Sequence, residues 1–170
     1  MPGPSVRTDI VDVYVFHRTG VRPGGVNLQF LQLHRAGGAM SGTWQPVMGH
    51  VEEQESAVQA ALRELREETG FAAGAEQLLV GFWQLETLNS YFLARHDCIM
   101  HSPCFAAQVR DNAEPVLDAA HDGHRWVDGD QVDRLFMWPG QRGAVEHIVR
   151  DLMAAEAPVA EALRIDLGAQ

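Results

Sequence analysis

Residues 49–71 read GHVEEQESAVQAALRELREETGF, and the organisation of the whole chain can be built outward from them. The spacing predicts a helix over Ser56–Thr69. Val58, Ala61, Leu62 and Leu65 fall at i, i+3, i+4 and i+7, which places them on one apolar face. Ser56 suits the N-cap and Gln59, three residues on, completes a capping box. Gly70 suits the left-handed stop. The second half of this helix carries Glu64, Glu67 and Glu68, at i, i+3 and i+4, so they share a face expected to lie away from the apolar stripe. Carboxylates gathered this way repel one another, and a cation would compensate them. Hard oxygen donors on one side of a rigid element suit Mg²⁺, which keeps several waters and binds through few carboxylates plus substrate phosphates. Arg63 precedes the cluster and can orient a carboxylate. On carboxylate spacing alone, a solvated acidic face is the better reading of the pattern.

On either side of this helix the periodicity turns to that of strands. Asp9–His17 (DIVDVYVFH) and Asn27–His34 (NLQFLQLH) read as strands joined through a turn at Arg18–Gly25. A glycine-rich loop, Ala36–Thr43, leads to a short strand Trp44–Met48. Beyond the helix, strands are expected near Glu76–Thr87, Asp97–Val109 and His124–Val127, with a short helix over Asp130–Phe136. Pro139 suits the first turn of a last helix running to about Ala155. With no internal repeat or linker, and length for one hydrophobic core, residues 1–170 are expected to form a single α/β domain.

The formal net charge of −10 argues against a nucleic-acid partner, because such binding runs on Lys and Arg neutralising phosphates. A small phosphorylated substrate remains compatible, since a carboxylate cluster can present it with metal charge. No apolar run approaches the ~20 residues of a membrane helix, and no secretory leader pattern is read at the start, so a cytoplasmic protein is expected. Cys98 and Cys104 in one strand would stand about 20 Å apart at 3.3 Å per residue, beyond disulfide reach. Buried free thiols are expected.

Spacing over the whole stretch goes further than the carboxylates alone. Gly49, Glu55, Arg63, Glu64, Leu65, Glu67, Glu68, Gly70 and Phe71 resemble the Nudix box with no position missing. Seven fixed letters at ordinary usage make a chance match on the order of one in 10⁸ to 10⁹ per start position. The resemblance implies an α/β fold, a Nudix-type α/β/α sandwich with a mixed β-sheet. It implies hydrolysis of a nucleoside diphosphate linked to another moiety, by water attack on phosphorus activated by Mg²⁺ or Mn²⁺. By the same resemblance Glu64, Glu67 and Glu68 bind metal with the carbonyl of Met48, while Arg63 and Glu55 hold the loop and helix together. A homodimer is also implied, with no interface specified by the sequence.

Trp44-Gln45-Pro46-Val47, His124–Asp128, Trp138 and Gln141–Glu146 resemble the dATP/dihydroneopterin-triphosphate branch of that family. This makes Arg35 a phosphate-side candidate and adds Trp44 and Gly49 to the substrate-binding set. ADP-ribose, sugar nucleotides and dinucleoside polyphosphates stay open as substrates, and a non-catalytic nucleotide sensor is the alternative of another class. One position departs from the pattern. Many relatives carry a glutamate six residues before the tryptophan matching Trp126, and here Ala120 stands there. Glu114, Asp118, His121 and Asp122 are the candidates to replace it, or the base lies within the box at Glu67 or Glu68. Trp83, Tyr91 and Trp138 are aromatic candidates for stacking on a ring.

Overall fold

The computed structural model describes residues 3–22, 25–38, 40–73, 78–154 and 158–168. Eight strands form one mixed sheet: β1 (Ser5–Arg7), β2 (Ile10–Arg22), β3 (Gly25–Arg35), β4 (Trp44–Gln45), β5 (Val47–His50), β6 (Leu79–Leu93), β7 (Cys98–Val109) and β8 (His121–Asp128). β2 is central. It pairs in parallel with β7 and antiparallel with β3 and β5. β6 pairs with β7 and β8 with β3, both antiparallel, and β1 runs parallel to β7.

Helices cover both faces. Val11, Val13 and Val15 point into one core with Ala60, Ala61 and Leu65 of α1 (Ala57–Thr69). Tyr14 and Phe16 point into the other, with Val132 of α2 (Val132–Leu135) and Ala144 and Val145 of α3 (Pro139–His147). This is the expected α/β/α sandwich. It also explains why β2 is buried on both sides from Val11 to His17, as a central strand between two helical layers must be. Asp12 is fully buried within it.

Several boundaries differ from the sequence reading. Arg18–Arg22 and Gly25 are strand, because a register shift between Arg18 and Gly20, where φ is 152°, lets the hairpin twist and continue; Pro23-Gly24 lie outside the described residues. The strand expected over Trp44–Met48 is two, since Pro46 has no N–H to donate: β4 pairs with β3 and β5 with β2. β6 runs on to Leu93, and the start expected for it at Glu76 lies outside the described residues. β8 begins earlier, at His121. The helix expected over Asp130–Phe136 is a 3₁₀ turn followed by α2. The last helix ends as α3 and a π-turn, Ile148–Leu152, and 155–157 lie outside the described residues. After Pro158, α4 (Pro158–Ala162) leads to a bridge between Arg164 and Trp83. Cys98 and Cys104 are buried free thiols. Among the described residues no helix is long and apolar enough to cross a membrane.

Candidate functional site

α1 is set up by its ends. Ser56 Oγ accepts the N–H of Gln59 at 3.2 Å and the Ser56 N–H donates to Gln59 Oε1 at 2.8 Å, closing the expected capping box. At the other end Gly70 takes φ 73° and its N–H reaches the Arg66 carbonyl at 2.8 Å. Ahead of the helix, Glu55 accepts two bonds from Arg63, each 3.0 Å, in a fork-on-fork arrangement. The same guanidinium donates to the His50 carbonyl at 2.8 Å, to Glu64 at 2.7 Å and to Glu67 at 3.2 Å. Arg63 therefore ties the end of β5, the intervening loop and two of the three clustered carboxylates to one point. Its proton is held more firmly than usual, chiefly by Glu55, and Glu55 is held below the usual carboxylate range, chiefly by Arg63.

The three carboxylates do not share one environment. Glu67 is exposed, Glu64 half-buried, and Glu68 only 4% exposed. The sequence reading placed all three on a face away from the apolar stripe, and Glu68 corrects it. Seven residues after Ala61 and three after Leu65, it comes within about 60° of both at 100° per residue, on the flank facing the sheet. There it accepts a single hydrogen bond among the described residues, a long one of 3.4 Å from the Met48 N–H. Burial pushes its pKa up to about 8, with Glu64 and then Asp118 adding to the rise; the Met48 N–H and Arg35 work against it. Glu64 is also raised, by burial more than by its neighbours.

Gly49 closes the floor. A Cβ there would overlap the Glu64 carboxyl group, so the box glycine is required by close approach rather than by a special φ. Gly49→Ala is expected to push Glu64 off Arg63 and lower activity by about 10²-fold, the scale expected for a 1 Å displacement at a reacting site. Steady-state kinetics beside a thermal melt would separate this from unfolding.

The chemistry of this donor set fits a divalent cation. Glu68 is a buried carboxyl with one weak donor and like charges as neighbours, an arrangement stabilised by positive charge brought from outside. Among the described residues no three His, Cys, Asp or Glu side chains already converge to metal-holding distance.

The remaining candidates divide clearly. Arg35, the last residue of β3, is half-buried and near enough to Glu68 to lower its pKa, and its guanidinium has no hydrogen bond among the described residues. Trp44 is already occupied: Arg125 stacks on its ring at 4.3 Å and His34 packs at 4.9 Å, which leaves it a wall rather than a free stacking platform. Trp83 is core, against Phe16; Trp138 is 44% exposed. Around Ala120, Glu114 pairs with His124 and Asp122 with His34. Asp118 takes His121 Nδ1 at 2.8 Å, and it is the one of these groups whose charge is felt at Glu68. Sequence reasoning did not single out Asp12, which accepts a 2.8 Å bond from Asn89 and whose pKa burial raises to about 6. Its signal was an acid inside an otherwise apolar run.

Comparison with known proteins agrees with this geometry. The NUDIX domain model matches residues 9–148. Bis(5'-nucleosyl)-tetraphosphatase [asymmetrical] of Sus scrofa is 30% identical over 120 residues, which span 70% of this chain and 77% of that protein. Among solved structures, a NUDIX hydrolase structure from Listeria monocytogenes superposes with a TM-score of 0.66 at 23% identity, covering 88% of this chain and 100% of that one. The E. coli dihydroneopterin triphosphate pyrophosphohydrolase gives 0.61 at 24% identity, covering 84% and 98%. The chain belongs to the Nudix family. It is a pyrophosphohydrolase of that family, whose members act on small phosphorylated substrates and generally use divalent metal ions.

Proposed function

We propose that this chain is a Mg²⁺-dependent hydrolase of a nucleoside polyphosphate, in which Mn²⁺ can replace Mg²⁺, working in the cytoplasm as a homodimer. The observation that carries the reading is the buried Glu68 carboxyl, which feels the like charges of Glu64 and Asp118 and the opposite charge of Arg35, a guanidinium with no hydrogen bond among the described residues. Glu64, Glu67, Glu68 and the Met48 carbonyl are the groups that would hold the cation. When bound, it supplies the charge that neutralises pyrophosphate oxygens and makes water a better nucleophile. Arg63, through Glu55 and the His50 carbonyl, keeps loop and helix in register. Glu67 is the exposed member, oriented by Arg63, and accepts the proton of the attacking water. Asp118 takes the place left by Ala120 as the carboxylate outside the box, with His121 fixing its orientation. Arg35 is the cation of the chain offered to the phosphates. Gly49 gives the Glu64 carboxyl group its place beneath the substrate, and Trp44, braced by Arg125, forms a wall of the site. Leu65 anchors the helix in the core and Gly70 ends it.

The substrate we favour is a bis(5'-nucleosyl) tetraphosphate, because the Sus scrofa relative bears that activity in its name. The second reading, a dATP or dihydroneopterin triphosphate, is favoured by the flanking residues Trp44–Val47 and Gln141–Glu146. Incubation with Mg²⁺ and a panel of both classes, with ADP-ribose and sugar nucleotides, separates them. The favoured reading expects water to split the tetraphosphate unequally, giving a nucleoside triphosphate and a nucleoside monophosphate. Release of pyrophosphate and a monophosphate from one triphosphate alone would establish the second reading. Tight binding with no cleavage of any compound would make the chain a nucleotide sensor instead.

A further inference from the structure

β6 is an edge strand. β7 lies along one of its sides, and on the other the chain's own tail covers only a short part, where the Gln84 N–H donates to the Leu163 carbonyl and the Ile165 N–H to the Phe82 carbonyl. From Glu86 to Leu93 the outer side of β6 has no strand partner among the described residues. Such a row of free N–H and C=O groups is a template for another strand, and proteins usually guard it with charge or proline. Thr87–Leu93 (TLNSYFL) contains neither.

The exposed side chains of this segment are arranged self-complementarily. Leu88 and Phe92 are 53% and 56% exposed, two residues either side of Ser90 on the same face of the strand. Phe92 continues a row through Ile99 of β7 to Val6 of β1, which is 61% exposed, while Leu88 sits beside Pro103. The charges bracketing the segment have opposite sign. Glu86 before it and Arg95 after it are both exposed, and neither is in an ion pair among the described residues.

We propose that two copies of the chain pair through the β6 edge, antiparallel about a two-fold axis at Ser90. This rests on the homodimer reading and gives it an interface. The axis sets residue i opposite residue 180 − i, so Leu88 faces Phe92 of the partner subunit and Phe92 faces Leu88 of the partner subunit. The rows then join into one apolar band across both sheets, from Val6 through Ile99 and Phe92 to Leu88 and Pro103 of the partner subunit. Glu86 falls opposite Ala94 of the partner subunit, one residue short of Arg95 of the partner subunit in the turn that follows the strand, so unlike charges neighbour each other at each end, as suits an isologous contact.

Sedimentation velocity of the full chain, from low micromolar to several hundred micromolar, tests this. The expected mass is twice 18.8 kDa. Leu88→Glu should shift the protein to monomer, with circular dichroism unchanged. Leu88→Glu combined with Phe92→Lys should restore the dimer, because the two-fold sets each new carboxylate against a new ammonium. Ser90→Cys should form a disulfide-linked dimer on mild oxidation, since the two positions meet at the axis. A wild-type chain that is monomeric throughout overturns both the homodimer and this interface. A wild-type dimer that Leu88→Glu leaves intact, or a double variant no more dimeric than Leu88→Glu, keeps the homodimer and overturns the β6 pairing.

Discussion

Glu68→Gln is expected to lower hydrolysis by about 10³-fold, within the range of a lost metal ligand or proton-transfer group, while making the metal-free protein more stable at alkaline pH. The two effects have one origin. Glu68 is buried beside Glu64 and Asp118, and its folded pKa stands at about 8, against an ordinary value of 4.5. Below pH 4.5 the side chain is protonated in folded and unfolded chains alike and costs nothing. Between 4.5 and 8 the unfolded chain ionises while the folded one keeps its proton, so stability falls as pH rises, by roughly 1.4 kcal/mol for each pKa unit. Asp12 acts in the same direction over a lower window, from 3.8 to about 6. Gln keeps the size of Glu68 and its acceptor for the Met48 N–H but has no charge to bury, so a melting series from pH 6 to 9 should be flatter in the variant. Adding Mg²⁺ at pH 8 should stabilise the wild type, because only the folded chain assembles the site, and should leave the variant nearly unchanged. A variant that melts earlier than wild type at pH 8, or that retains full activity, would remove Glu68 from the site.

Arg63→Ala is expected to cost about 3 kcal/mol, since hydrogen bonds to charged groups contribute about 1.5–3 kcal/mol and the half-buried Glu64 would be left without a donor among the described residues. At 170 residues this corresponds to a fall in Tm of about 10 °C. The variant loses the bonds to Glu55, Glu64 and the His50 carbonyl together. Arg63→Lys tests whether charge or shape matters. An ammonium group keeps the charge but cannot span the two oxygens of Glu55 and the carbonyl at once, so it should recover less than half of the lost stability. Its kcat should fall with KM little changed, because Arg63 orients Glu64 and Glu67 rather than holding substrate. A Lys variant equal to wild type in Tm and kcat would show that charge alone suffices.

What could be read from the sequence was whatever local rules determine. Ser56 and Gln59 announce a helix start and Gly70 its end, all within a few residues of the groups they serve; that Gly49 makes room for Glu64, fifteen residues on, shows only in the fold. The free thiols followed from strand geometry alone. The features that escaped depend on partners distant in the chain. The burial of Glu68 is imposed by β5, some twenty residues away, and a helical wheel cannot say how far the sheet reaches round α1. Asp12 is buried because α3 covers the second face of β2, which alternation within nine residues does not reveal. Trp44 reads as a substrate-binding residue, with no sign in the sequence that Arg125, eighty-one residues on, lies against its ring. Among Glu114, Asp118, His121 and Asp122, spacing could not choose, because the choice depends on which histidine each one meets.

Calorimetric titration of Mg²⁺ into wild type and Glu68→Gln at pH 7, each in two buffers of different ionisation enthalpy, tests the centre of this account most directly. A carboxyl titrating near 8 is largely protonated at pH 7, so binding the cation must expel that proton. The expected result is release of close to one proton by wild type, with weaker binding and no release by the variant. Equal affinity and equal proton release in the two proteins would place the cation, and with it the chemistry, away from Glu68.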